Sequence, residues 1–567
     1  MIKLFLKNRP WHLWNREFII LVFCLLVSLV TVASNRYHWS RWDFGDAQTM
    51  LTLRHWHEGG WLQNYLLFIP QGYAKVIRIL DEPALRHHAH GISPNSSPNV
   101  GPRLWYTHFP SGYLVPYAFL YELGLKSIFF MRAFSIFLSL AALVFMYITV
   151  SRLSSPAAAF FSVFFYAVSF AFLGFADSLS TQPADDFLRF FFMMAVVLAM
   201  GAQQEERRKL WMVLAWCAEF LLSLSSFDSV FFVYLWLIGA GVLLRGNFGW
   251  KTYLVFALAP VAAHSLQFLQ NAWYLGFHDA ARDIMDAFLM KSNPGTFLRF
   301  LAVRASNQVM LFEKLYKSVY LVLFMAALYP AGVKLLKSTG DKGLPSIKLL
   351  SALLLCGLGF GLILPHALRM EYEVRQIAPF VCVLAGGLVL LLLKEIKEPA
   401  PSGKTGMVFA LFSFLALSVF TYYLSAESAR FFRSTAKFEK HPDVALAEGL
   451  GSIRTKYEPV FFDTGGFSVF WNPAYMPGYP QVHPILEFYA GSAPILCFNE
   501  PRGLVSDLLY MKKNGKHEFS PVLVTGNTGY LKYILSTLNK SGRIKPGPAK
   551  TELIAGKYVL DLTDYFK

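Results

Sequence analysis

About eleven stretches of roughly 20 mostly apolar residues run through this 567-residue chain, and no other feature restricts its fold as much. A helix needs about 20 such residues to cross the hydrocarbon of a bilayer, where every backbone polar group must be bonded within the segment, so the runs predict spanning helices. Their centres lie near 18–34, 127–150, 156–174, 187–202, 210–225, 229–244, 252–275, 318–333, 347–365, 376–393 and 406–425. Composition agrees: 55% of residues are hydrophobic and 16% charged, against ~25% charged in soluble domains. This excludes an ordinary soluble enzyme and a disordered, collagen-like or coiled-coil chain. No small-residue cleavage site follows the first run, which reads as a signal anchor.

Basic residues set the expected orientation. With the N-terminus in the cytoplasm, Arg152, the Arg207-Arg208-Lys209 cluster, Arg245 with Lys251, Lys334 to Lys348, and Lys394 to Lys404 all fall on the cytoplasmic side. The opposite gaps 175–186 and 226–228 carry no Lys or Arg, and 366–375 carries two Arg. The net charge of +16 (52 basic minus 36 acidic) is thereby assigned to topology, and no nucleic-acid partner is expected.

This orientation leaves 35–126, 276–317 and everything after about 426 outside. The first segment contains amphipathic pieces at 47–61 and 109–123 suited to the interface. The last alternates strand-like runs (459–462, 494–498, 521–524, 558–562) with helical ones (444–456, 505–513, 530–539), which predicts a small α/β domain. The expected fold is therefore mostly α. A transmembrane module over 1–425, with the long exterior loop 35–126, precedes an exterior α/β domain over 426–567.

Chemistry is expected at the exterior mouth of the bundle. Asp43 and Asp46 follow the first helix; a partly desolvated carboxylate there suits a general base or a metal ligand, and a helix N-cap is the plainer use. Asp185 and Asp186 open the fourth run, where they either compensate the helix dipole or face a substrate. The 366–375 gap carries His366, Arg369, Glu371 and Arg375; Arg at this depth either snorkels to headgroups or forks onto a lipid phosphate. Glu219 and His264 lie inside apolar runs, and the histidines at 87, 88 and 90 have no evident co-ligands.

The order of these features resembles the GT-C superfamily of polytopic glycosyltransferases, in particular its branch of protein O-mannosyltransferases and lipid A aminoarabinose transferases. The resemblance covers most of 15–425. Asp46-Ala47 through Gly59-Gly60-Trp61 stands where that family has an Asp-Glu motif and a helix closing on Gly-x-Trp, with Ala47 in place of the Glu. The Tyr106-Thr107-His108-Phe109-Pro110 stretch is similar to the family's Pro-containing segment, with Arg103 and His108 where a Lys is often found. Asp185 or Asp186 matches the acidic residue of the second exterior loop, and the His366 to Pro379 segment matches the loop whose Arg contacts the donor phosphate.

The resemblance implies inverting transfer of a sugar from a polyprenyl-phosphate donor to an acceptor hydroxyl on a glycan, lipid or protein, at the exterior face of a bacterial inner membrane. Asp46 is the implied base, with Asp43, Asp185 and Asp186 as further acidic candidates. Arg375, Arg369, Arg103 and His366 are the implied phosphate ligands, and Tyr106, His108 and Glu371 line the acceptor pocket. No cofactor is expected, and a divalent metal is the less favoured alternative. The rival expectations are a lipid-linked glycan polymerase or ligase, and a flippase or transporter of lipid-linked sugars.

Overall fold

The computed structural model describes residues 16–34, 43–72, 103–107, 110–246, 248–292, 345–363, 371–397, 442–453, 460–463, 495–498, 522–540, 550–554 and 556–562, with scattered helical positions between 411 and 433 and at 488, 489 and 505. In chain order the elements are α1 (Arg16–Ser34), α2 (Asp43–Gly59), β1 (Phe68–Gly72), β2 (Arg103–Tyr106), α3 (Leu114–Glu122), α4 (Ile128–Leu153), α5 (Pro156–Ala167), α6 (Phe170–Leu173), α7 (Gln182–Met200), α8 (Glu205–Ser223), α9 (Ser229–Val242), α10 (Trp250–Leu275), α11 (Phe277–Ser292), α12 (Ile347–Ile363) and α13 (Ala378–Lys397). They continue as α14 (Pro442–Ile453), β3 (Val460–Asp463), β4 (Ile495–Phe498), β5 (Val522–Thr525), α15 (Thr528–Lys540), β6 (Lys550–Ile554) and β7 (Lys557–Asp561). Contacts divide the chain into two compact units. One comprises Met1–Arg36, Phe129–Gln267 and Met285–Lys437; the other comprises Tyr37–Ile128, Phe268–Ile284 and Phe438–Lys567.

The first unit is a helix bundle in which α7 packs on α8, α5 on α13 and α9 on α12. Among the described residues, α1, α4 and α10 are long and apolar enough to cross a membrane, and α5, α9, α12 and α13 contain shorter apolar helices. Lipid is as apolar as leucine, so close backbone approach rather than hydrophobicity has to hold such helices together. Small residues allow it. A Cβ on Gly386 of α13 would lie 2.9 Å from the backbone N of Ser162 in α5, and one on Gly357 of α12 would lie 2.9 Å from Cα of Ile377. Leu254, Val255, Leu258 and Val261 leave α10 with an exposed apolar face that water would not favour and lipid does.

Helices occupy the expected runs at 18–34, 127–150, 187–202, 210–225, 229–244, 252–275, 347–365 and 376–393. The run 318–333 lies outside the described residues, and 406–425 is described only at scattered helical positions. The run 156–174 is two helices rather than one. Ser155 caps α5 by accepting from the N–H of Ala158, Pro156 pre-sets its first turn, and the extended backbone of Ser169 separates α5 from α6.

In the second unit, α2 packs on β1 and α3. Trp56 is fully buried and its Nε1–H donates to the Leu67 carbonyl at 2.9 Å. The Thr52 hydroxyl bonds the Ile69 carbonyl at 3.0 Å. β1 and β2 form an antiparallel pair with Phe68 opposite Tyr106, which draws the two ends of a long loop together. The C-terminal strands form a five-stranded sheet in the order β4-β3-β5-β7-β6, parallel across β4-β3-β5 and antiparallel from β5 to β6. Leu446, Ala447 and Leu450 of α14 close its core against Val460, Phe462, Val522 and Val524. Val444 of α14 meets Ala47 of α2, and Arg54 of α2 donates to the Phe488 carbonyl at 3.1 Å, so α14 and Phe488 pack on α2 beside the sheet's own core.

The four expected strands are present as β3, β4, β5 and β7, and the helical runs at 444–456 and 530–539 appear as α14 and α15. Most of the helical run at 505–513 lies outside the described residues. Strands β1, β2 and β6 were not expected.

Candidate functional site

The bundle unit holds a buried polar cluster at the start of α7. Pro183 stands at the helix N-terminus and Asp185 in the first turn, an arrangement that the orphan N–H groups and the helix dipole favour. Asp186 follows, and Arg189 stands three residues on, where helical spacing puts it on the same face. Arg189 Nη2 donates to Asp186 Oδ1 at 2.9 Å, Arg375 Nη1 donates to the same oxygen at 2.8 Å, and the Tyr166 hydroxyl donates to Asp186 Oδ2 at 2.6 Å. An arginine at this depth is costly unless paired, and this carboxylate satisfies two of them.

The 3₁₀ turn Glu371–Gln376 brings in the remaining partners. Gln376 Oε1 accepts from Arg189 Nη1 at 2.6 Å, and its Nε2–H reaches Glu373 Oε2 at 3.2 Å. Arg375 Nη1 also donates to the Gln182 carbonyl at 3.0 Å, while its Nη2 lies 3.5 Å from Asp185 Oδ2. Ser229 at the start of α9 donates to Asp185 Oδ2 at 3.3 Å. Asp185 Oδ1 is buried with no hydrogen-bond partner among the described residues. The two adjacent aspartates thus differ: Asp186 is saturated by three donors, and Asp185 keeps one buried oxygen to spend.

Burial pushes the Glu373 carboxyl up to about 8; the charge of Asp228 adds to the rise and Arg375 opposes it. Burial works against the charge of Arg375, but Asp186, Asp185 and Glu373 more than offset it and hold the guanidinium protonated.

In the other unit Asp46 is fully buried within the first turns of α2. One helical turn on, the Thr49 hydroxyl pairs with the Tyr113 hydroxyl at 3.2 Å, tying α2 to the start of α3. Asp43 opens α2, and Arg103 and Tyr106 are the first and last residues of β2. Glu371 opens the 3₁₀ turn of the bundle unit. His108, His366 and Arg369 lie outside the described residues.

Of the residues singled out in the sequence, the structure brings Asp185, Asp186 and Arg375 together in the bundle. It also adds partners that sequence reasoning passed over, namely Tyr166, Arg189 and Ser229. Arg189 carried a readable signal, an Arg three residues after an Asp inside an apolar run; Tyr166 and Ser229 carried none.

No protein-family model matches the sequence, and no curated protein does. Solved structures do match. ArnT from Cupriavidus metallidurans bound to undecaprenyl phosphate aligns over 98% of this chain and 99% of its own, with a TM-score of 0.57 and 12% identity. The apo form of the same protein gives a TM-score of 0.51 over 97% and 98%, with 11% identity. The Archaeoglobus fulgidus oligosaccharyltransferase aligns over 89% of this chain and 69% of its own, with a TM-score of 0.47 and 13% identity. At such identities it is the fold that is shared, and the likeness to ArnT, a GT-C glycosyltransferase, runs end to end along both chains.

Proposed function

We propose that the protein is an integral-membrane glycosyltransferase that moves one sugar from a polyprenyl-phosphate donor to an acceptor hydroxyl on the exterior face of a bacterial inner membrane. The observation that carries the reading is the end-to-end likeness to a fold whose solved example binds undecaprenyl phosphate, together with a fully buried Asp46 on the helix where the sequence put the base.

In this reading the Asp46 carboxylate takes the proton of the acceptor hydroxyl as its oxygen attacks the anomeric carbon. The bond from that carbon to the lipid phosphate oxygen breaks, its electron pair leaves with the phosphate, and the anomeric configuration inverts. Cations must meet the charge that grows on the phosphate. Arg375, whose guanidinium is engaged by Asp186, Asp185 and the Gln182 carbonyl, acts chiefly by holding these aspartates. Arg103, Arg369 and His366 remain the phosphate-ligand candidates that the resemblance implies. Asp185, with a buried oxygen that no described residue meets, and Tyr106, His108 and Glu371 are the acceptor-side candidates of this reading. No step needs a metal or a cofactor.

The test is turnover in detergent, where transport has no meaning. Purified protein is given a panel of synthetic polyprenyl-phosphate sugars and extracted envelope acceptors, and the product linkage is read by NMR. The reading expects release of polyprenyl phosphate with inversion. Transfer of whole oligosaccharides only would favour a polymerase or ligase, and no turnover with any donor would favour a flippase.

A further inference from the structure

Thr107 is nearly inaccessible, yet both of its polar side-chain and carbonyl oxygens are gripped by residues more than 160 positions further along the chain. Its hydroxyl donates to Asp283 Oδ2 in α11 at 2.6 Å, and its carbonyl accepts from Asn271 Nδ2 in α10 at 3.1 Å. All three residues are buried. Beside this grip, Gln270 Nε2 donates to the Leu66 carbonyl at 2.7 Å and to the Ser111 hydroxyl at 3.2 Å, and Ser111 Oγ donates to the Leu66 carbonyl at 2.6 Å. Thr107, Ser111 and Tyr113 are thus each tied to other elements, the last through Thr49 on the helix that carries Asp46. A hydrogen bond to a charged acceptor in a buried site is worth more than a neutral surface one, and a severed one leaves a desolvated carboxylate behind.

We infer that Asp283 and Asn271 are positioning residues: by clamping Thr107 they fix the end of β2, with Tyr106, in register with α10 and α11. The activity side of this inference rests on the glycosyltransferase reading above; the structural side does not. Neither Asp283 nor Asn271 touches the reacting atoms. Their effect comes from holding a binding segment in register, and small misplacements of such segments cost on the order of 10²-fold in rate.

The test uses the full-length protein in detergent with four variants, Thr107→Val, Thr107→Ser, Asp283→Asn and the double variant Thr107→Val/Asp283→Asn. Two quantities are read for each: kcat and KM separately for the lipid-linked donor, and hydrogen exchange of the backbone amides over 104–113. The clamp predicts faster exchange and a kcat/KM lower by about 10- to 100-fold in Thr107→Val and Asp283→Asn. The double variant should be no worse than the weaker single one, and Thr107→Ser should recover to within about threefold because it keeps the hydroxyl. Unchanged exchange in Thr107→Val overturns the clamp, and faster exchange without a loss in kcat/KM overturns its role in the reaction. If Asp283→Asn folds and Thr107→Val does not, the same two readouts on Asp283→Asn and Thr107→Ser decide. If wild type shows no turnover, the glycosyltransferase reading falls, and the exchange data alone decide whether the clamp exists.

Discussion

Replacing Asp186 with Ala removes the acceptor of three buried donors at once. Arg189 Nη2, Arg375 Nη1 and the Tyr166 hydroxyl all end on this one carboxylate, and both arginines are buried. Removing one partner of a buried ion pair costs about 3–5 kcal/mol, because the remaining charge stays desolvated with fewer partners. The freed Tyr166 hydroxyl adds about 1–3 kcal/mol. Gln376 Oε1 and the Gln182 carbonyl keep one bond each to Arg189 and Arg375, which holds the sum to about 3–5 kcal/mol. For a unit of this size that is a fall in Tm on the order of 5–10 °C. Asp185→Ala is the control. Among the described residues its carboxylate has a 3.5 Å contact with Arg375, a 3.3 Å bond from Ser229 and one buried oxygen without a hydrogen-bond partner, so its removal relieves as much desolvation as it loses attraction, and Tm should move by no more than about 2 °C. The assay is thermal unfolding of purified protein in one detergent, with monodispersity checked before each scan. Equal losses for the two variants, or a larger one for Asp185→Ala, would refute the assignment of Asp186 as the structural carboxylate.

Three further predictions follow from the same geometry. Glu373 is protonated in the folded state up to about pH 8 and ionised in the unfolded chain above its ordinary range, so the folded state binds the extra proton and stability should fall as pH rises from about 4.5 to about 8, then level off. Glu373→Gln should flatten that slope, and an unchanged slope would show that another group carries it. Gly386→Val should destabilise the bundle by about 1–3 kcal/mol or more, because its side chain would meet the Ser162 backbone at α5; recovery of normal expression and Tm in that variant would show that α5 and α13 can part without cost. Incubation with excess EDTA should leave turnover within about twofold of the untreated protein, since deprotonation and leaving-group departure are assigned to side chains alone; loss restored by a divalent ion would put a metal in the reaction.

What the sequence revealed and what it hid divide along a physical line. Lipid forces each spanning segment to be a continuous apolar helix, so eight of the runs were legible one by one, as was the Asp185-Asp186 pair beside Pro183. Strands β3, β4, β5 and β7 were legible because short β-branched and aromatic runs lay between turn residues. Strand β6, with Lys550 and Glu552 among its residues, looked too polar, and β1 and β2 are too short and too far apart for local periodicity to pair them. The buried network was harder still. Asp186 with Arg189 is a local i,i+3 pair, but Tyr166, Ser229 and Gln376 come from separate elements, and only tertiary packing joins them. Thr107, Asn271 and Asp283 illustrate the same limit, since nothing in three single residues spread over 176 positions marks them as partners.

The central claim is that Asp46 is the base of a sugar transfer. Its most direct test is the rate of labelled-sugar transfer from a polyprenyl-phosphate donor by purified wild type, Asp46→Asn and Asp43→Asn, each at matched levels of folded protein. The account predicts a loss of kcat on the order of 10²–10⁴-fold in Asp46→Asn, with Asp43→Asn within about tenfold of wild type. Full activity in Asp46→Asn would contradict it.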